Sequence, residues 1–337
     1  MKLARLLEVE QVVPQGSDAI LLSFRVSGGD VEAFRFQPGQ YLTLAVDIDG
    51  VPHWRCYSIT SEPSALPLVS VLVRRVDGGR ASNWLCDHVR PGTRIEVLPP
   101  AGRFTLRNPC QPALMFAGGS GIAPIFSLAR HALEQGASRV MLFYANRNRS
   151  TVMLEAALDE LRVAAPGRLD VTQWFDGELG FPTADVMRDH ALGLDGSDVY
   201  LCGPEPFMKT VRAGLKQAGV EAQRIHYEDF GVAEEDGSAV EKSGPAVERT
   251  LTVSLRGTQH TVTVKDHETL LSAMIQAGLT VPHACKVGEC ASCICRLEKG
   301  DIERLENSVL DEDDVADGVL LACRSRAVSE HVRIRFS

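Results

Sequence analysis

The sequence predicts a multidomain chain of β and α/β architecture: an antiparallel barrel, then a parallel α/β unit, then a small β-rich unit built around cysteines. Three observations predict it. Residues 1–108 show a regular strand-and-turn rhythm, residues 109–230 alternate strand with helix, and residues 249–337 follow an acidic polar run and carry a cysteine-rich loop.

In the first part, β-branched or alternating runs cover Val9–Val13, Ala19–Val26, Tyr41–Asp47, Leu68–Val76 and Thr93–Leu98. Pro14, Gly28-Gly29, Pro38-Gly39, Asp49-Gly50, Gly78-Gly79 and Pro91-Gly92 punctuate them, as expected of short strands closing into a barrel. Asn83–Val89 is the one short helix expected there. In the second part, Ala113–Ala117, Arg139–Tyr144, Leu169–Gln173 and Asp198–Cys202 read as strands. Ile122–Gln135, Thr151–Ala164, Ala184–His190 and Pro206–Ala218 carry helical periodicity between them, which implies a parallel sheet. Residues 231–248 are acidic and nearly free of large apolar groups, the composition of a linker. After it, Leu251–Arg256 and Gln259–Val264 read as a hairpin and Thr269–Gly278 as a helix, with further strands to Phe336.

The 337 residues suffice for two or three domains. Hydrophobic residues at 45% and charged residues at 23% describe ordinary globular protein rather than disorder. A net charge of −9 disfavours nucleic acid and anionic membrane, both of which select basic faces. Ala113–Ala129 has no charge, but its three glycines and one proline break it into strand, loop and helix start rather than a span. Arg5, Glu8 and Glu10 interrupt any apolar leader, so a cytoplasmic protein is expected; a monomer is the expected working state.

Nine cysteines, four of them between 285 and 295, do not resemble a secreted disulfide scaffold. Cys285, Cys290 and Cys293 form C-x4-C-x2-C, and Cys323 follows after twenty-nine residues. This is the plant-type spacing for a [2Fe–2S] cluster, in which two tetrahedral irons take four thiolates. Zinc is the rival reading, but no second C-x2-C or H-x3-H follows to complete a ribbon. Cys295 is expected to be a buried thiol rather than a ligand, Cys56, Cys86 and Cys110 to be structural thiols, and His283 no ligand.

Four further segments carry a resemblance. Arg55-Cys56-Tyr57-Ser58, Gly79-Arg80-Ala81-Ser82, Gly118-Gly119-Ser120-Gly121-Ile122-Ala123-Pro124 and Cys202-Gly203-Pro204-Glu205-Pro206-Phe207-Met208 occur in the order typical of the ferredoxin–NADP reductase family. With the cysteine loop, the chain resembles throughout its length the reductase components of bacterial oxygenases, in particular the phenylacetyl-CoA epoxidase reductase type. The resemblance implies a flavin-binding barrel over 1–108, an NAD(P)-binding domain over 109–230, a linker over 231–248 and a β-grasp ferredoxin domain over 249–337.

It also implies residue roles. Arg55 offers a cationic fork to the flavin phosphates, Tyr57 a face to the ring and Ser58 a hydroxyl to its N5 edge. Gly79, Ala81 and Ser82 open a helix over the FAD diphosphate, and Gly119, Ser120 and Gly121 do so for the pyrophosphate of NAD(P)H. Cys202, Gly203 and Pro204 come beside the nicotinamide. Glu228 and Phe230 match the carboxylate and the aromatic cover of the outer flavin face. No acid follows the second α/β strand, whereas Arg147 and Arg149 do, which favours NADPH, with NADH possible. The implied activity is electron transfer from NADPH through FAD and the cluster to a soluble oxygenase or desaturase. A redox-responsive binding protein, or a reductase of a small acceptor such as a quinone, is the alternative.

Overall fold

The computed structural model describes residues 4–194, 196–228, 248–255, 257–279, 281–283, 285–288, 290–307 and 309–336. The segment expected as a linker, apart from Glu248, and the proposed Phe230 lie outside the described residues.

Six strands form the first sheet: β1 (Arg5–Gln15), β2 (Ala19–Arg25), β3 (Tyr41–Ile48), β4 (Val51–Ser58), β5 (Leu68–Arg74) and β6 (Arg94–Ala101). Their order is β4-β3-β6-β1-β2-β5, all antiparallel, and an Ile59–Val71 bridge brings the two ends together. Alternating side chains Leu7, Val9, Leu22, Phe24, Leu42, Leu44, Val71 and Val97 fill its interior. Helix α1 (Arg80–His88) follows β5, starting three residues earlier than its apolar pattern indicates.

The second sheet is parallel, ordered β11-β10-β7-β8-β9 from β7 (Ala113–Gly118), β8 (Val140–Asn146), β9 (Leu169–Phe175), β10 (Asp198–Cys202) and β11 (Ile225–Glu228). Helices α2 (Ile122–Glu134), α3 (Glu155–Ala164), α4 (Asp176–Leu179), α5 (Ala184–Ala191) and α6 (Glu205–Gln217) connect its strands. β7 and β8 are buried along their whole length, as strands covered on both faces must be. Helix α3 begins four residues later than its periodicity suggests. Leu154 takes a left-handed conformation (φ 58°) and its N–H donates to Gln15 Oε1 at 2.9 Å, so the chain cannot wind into a helix before Glu155. Ala19, Leu72 and Phe104 of the barrel share a core with β7, β8 and α2, which joins the two units through apolar contact.

The third unit contains β12 (Arg249–Leu255), β13 (Thr258–Val264), β14 (Ile294–Lys299), β15 (Ile302–Arg304), β16 (Val319–Leu321), β17 (Ser325–Ala327) and β18 (His331–Arg335), with α7 (Leu270–Gln276) and α8 (Glu312–Ala316). Its main sheet runs β13-β12-β18-β14-β16. β12 pairs antiparallel with β13 and parallel with β18, so the first hairpin clasps the last strand around α7, a β-grasp arrangement. Thr269 caps α7 by accepting from Ser272 N, a contact worth about 1 kcal/mol.

Candidate functional site

The residues singled out in the sequence lie at strand ends and helix starts of the barrel and of the parallel sheet. Ser58 closes β4, paired with Tyr41 of β3, and its Oγ is buried without a hydrogen-bond partner. Tyr57 faces the barrel interior, and burial pushes its phenol well above the ordinary range. The Arg55 guanidinium donates to the carbonyl of Trp54 at 2.7 Å. Gly79 caps α1, and Ala81 and Ser82 lie in its buried first turn, where Ser82 Oγ accepts the Val76 N–H at 3.3 Å.

The C-terminal ends of β7, β10 and β11 lie side by side, Cys202 pairing with Ala117 on one flank and with Glu228 on the other. Ligands of open parallel sheets bind at such strand ends. Close packing explains the glycines here: a Cβ on Gly121 would stand 2.2 Å from the Cys202 carbonyl oxygen, and one on Gly203 would stand 3.0 Å from Gly118 N. Cys202 is fully buried. Glu228 Oε2 is buried without a partner, and burial pushes this carboxyl up to about 8.

A cavity opens beside these ends, lined among others by Arg74, Gly119, Asn146, Arg147, Asp176 and Phe181. Oδ1 of Asp176 is buried and unpartnered. The two arginines expected to receive a 2′-phosphate are both paired with carboxylates. Arg147 donates to Asp18 Oδ2 at 3.0 Å, and Arg149 makes a two-pronged contact with Glu178 at 2.9 and 3.1 Å while lying over the Phe175 ring. Arg149 is not among the cavity's lining residues. The absence of an acid after β8 is offset by Asp176 and Glu178 arriving from the end of β9, a neighbour that the chain reaches only after a further helix.

In the third unit the four thiols stand as two pairs. Cys285 N donates to Cys290 Sγ at 3.3 Å and Cys323 N to Cys293 Sγ at 3.4 Å. The thiols of Cys290 and Cys285 touch, as do those of Cys293 and Cys323. Contact with Cys323, then burial, holds the Cys293 thiol well above its ordinary range. Cys295 lies buried in β14, and His283 Nδ1 donates to the Val281 carbonyl at 2.9 Å.

Comparison with known proteins accords with this geometry. Residues 5–106 match the oxidoreductase FAD-binding domain, 115–213 the oxidoreductase NAD-binding domain and 253–328 the 2Fe-2S iron-sulfur cluster binding domain. The ferredoxin reductase component of 3-ketosteroid-9-alpha-monooxygenase from Rhodococcus rhodochrous is 36% identical over 338 residues, covering 98% of this chain and 96% of that protein. The chain belongs to the reductase components of oxygenases. A subunit of the 1,2-phenylacetyl-CoA epoxidase from Escherichia coli is 31% identical, covering 98% of this chain and 97% of that protein. The solved phthalate dioxygenase reductase shares the three-part fold, with a TM-score of 0.59 at 24% identity over 99% of this chain and 98% of that one.

As a member of this family, the chain is an NAD(P)H-dependent oxidoreductase that passes electrons through FAD and a [2Fe–2S] cluster to an oxygenase. Its residues fit both groups. Ser58 Oγ and Glu228 Oε2 are buried polar atoms without a partner, which a bound polar group would satisfy. Two thiol pairs suit two irons better than one metal ion. Among the described residues, no helix is long and apolar enough to cross a membrane. Arg74, Asn146, Asp176 and Phe181 are cavity residues that sequence reasoning missed. Arg74 and Asp176 each end or follow a strand, but only the assembled sheets show which strand ends meet.

Proposed function

We propose that this chain is the NADH-dependent reductase of a soluble monooxygenase component, working as a monomer. End-to-end similarity to the ketosteroid monooxygenase component carries the partner class. The identity of 36%, against 31% for the epoxidase protein, favours a monooxygenase over the epoxidase type that the domain order suggested. NADH is favoured over the NADPH that Arg147 and Arg149 suggested, because both arginines are paired with carboxylates and Asp176 faces the cavity. A carboxylate there accepts a hydrogen bond from a ribose hydroxyl and repels a 2′-phosphate.

In this reading Arg55 and the first turn of α1 hold the flavin phosphates. Tyr57 flanks the ring, while Ser58 and Glu228 hydrogen-bond its edge and Phe230 covers its outer face. The Gly119–Gly121 turn receives the dinucleotide pyrophosphate, and Cys202, Gly203 and Pro204 back the nicotinamide. When bound, the flavin accepts two electrons as hydride and the cluster carries them onward singly. Cys285 and Cys290 would hold one iron, Cys293 and Cys323 the other. Steady NADH-driven reduction of cytochrome c by the loaded protein, followed by reconstitution of turnover with a purified monooxygenase component, tests the reading. Full cofactor content without turnover would refute it in favour of a redox-responsive binding protein.

A further inference from the structure

β4 presents two chemically different faces. Tyr57 points to the barrel interior, whereas Trp54 and Cys56 point outward. In register, Trp54 faces Ala45 and Cys56 faces Thr43 of β3, while Thr43 faces Leu98 of β6. Trp54, Leu98 and Ala45 therefore make one apolar patch, and it packs in a common core with Ala291, Cys293 and their neighbours in the third unit. Trp54 is only 6% exposed, so the ferredoxin domain covers the outer face of the strand that carries the flavin motif.

At the centre of this contact lies the Cys56 thiol. Thr43 Oγ1 stands 3.5 Å from it on one side and Ser292 Oγ 3.5 Å on the other. Both hydroxyl residues are buried, Thr43 at 1% and Ser292 at 3% exposure. The same thiol also lies in contact with that of Cys290. Thus a side chain between Arg55 and Tyr57 touches a cluster ligand and the residue two beyond it.

We infer that Cys56 is a positioning residue for electron transfer: its thiol lies against the Cys290 sulfur, to which it would donate once Cys290 ligates iron as a thiolate, and, with Ser292, fixes the pose in which the cluster loop meets the flavin strand. The inference rests on the reductase reading. In each transfer the reduced flavin loses one electron and one ferric iron becomes ferrous; the thiol gives up neither electron nor proton. A donor to a ligand sulfur stabilises the more negative, reduced cluster and so raises its potential. The thiol occupies a gap in which both neighbouring hydroxyls stand 3.5 Å away. Alanine leaves the gap, and serine retains a donor.

The test compares wild type, Cys56→Ala and Cys56→Ser as FAD- and cluster-loaded full chains. In anaerobic stopped flow with NADH, the flavin-bleaching phase stays unchanged in all three. Cluster reduction slows about tenfold in the alanine variant, the rate equivalent of one lost charge-assisted hydrogen bond, and recovers in the serine variant. Redox titration with dithionite, followed by the EPR signal of the reduced cluster, shows a negative shift for alanine and none for serine. Should alanine fail to load the cluster, Ser292→Ala takes its place and slows the same phase. An unchanged cluster-reduction rate and potential in the variant tested overturns the inference. Wild type that NADH cannot bleach would instead refute the reductase reading, and the dithionite titration would still decide the role of Cys56.

Discussion

Arg147 donates to Asp18 Oδ2 at 3.0 Å, and Arg74 Nε donates to the same oxygen at 3.2 Å. One barrel carboxylate, between β1 and β2, thereby gathers an arginine from each side of the nucleotide cavity. The pairing leaves Arg147 poorly placed for a 2′-phosphate. Asp18→Asn is expected to raise kcat/KM for NADPH relative to NADH by about tenfold, the effect of releasing one charge of about 1.4 kcal/mol. Steady-state kinetics with both nucleotides checks it, and an unchanged ratio would show that the pair has no part in selection.

Asp176 makes the complementary prediction. Its unpartnered Oδ1 lies in the cavity wall, and burial raises its pKa from the ordinary value. Asp176→Ser removes the repulsion toward a 2′-phosphate together with the acceptor for a ribose hydroxyl. KM for NADH should rise and KM for NADPH fall, each by about tenfold for one charge-assisted hydrogen bond gained or lost. A parallel rise in both values would assign Asp176 to cavity structure alone.

Much of this site was legible before any fold was known. The glycine turn after β7, the Cys-Gly-Pro end of β10 and the cysteine loop are local patterns whose physics depends on neighbours in the chain. Asp18, Arg74 and Asp176 escaped notice because their meaning comes from partners brought together by the barrel and the sheet. β11 escaped for another reason: Ile225–Glu228 is a four-residue strand without alternation or a long apolar run. The outward face of β4 was also illegible, because Trp54 acquires its partner only when a unit far along the chain covers it.

Gly121 offers a test of packing rather than charge. A Cβ there would come within 2.2 Å of the Cys202 carbonyl oxygen and 2.8 Å of Gly203 N, both backbone atoms. Gly121→Ala must push β10 away from the start of α2, an overpacking cost of about 1–3 kcal/mol. Urea unfolding should show that loss, accompanied by a higher KM for NADH. Native stability in the variant would mean that the turn and β10 are not held this closely.

Glu228 connects the site to pH. Burial raises its carboxyl from an ordinary 4.5 to about 8, so the folded chain holds a proton that the unfolded chain releases. The sign follows from linkage: wherever the native state binds more protons, stability falls as pH rises. This contribution is fully present below about 4.5 and is lost progressively as pH climbs through 8. Glu228→Gln keeps a neutral, hydrogen-bonding side chain at every pH and should abolish the decline. The difference in urea midpoint, variant minus wild type, is therefore expected to grow across that window. A constant difference would place the titration elsewhere, and Glu228 would then stand as an ordinary ionised carboxylate beside Cys202.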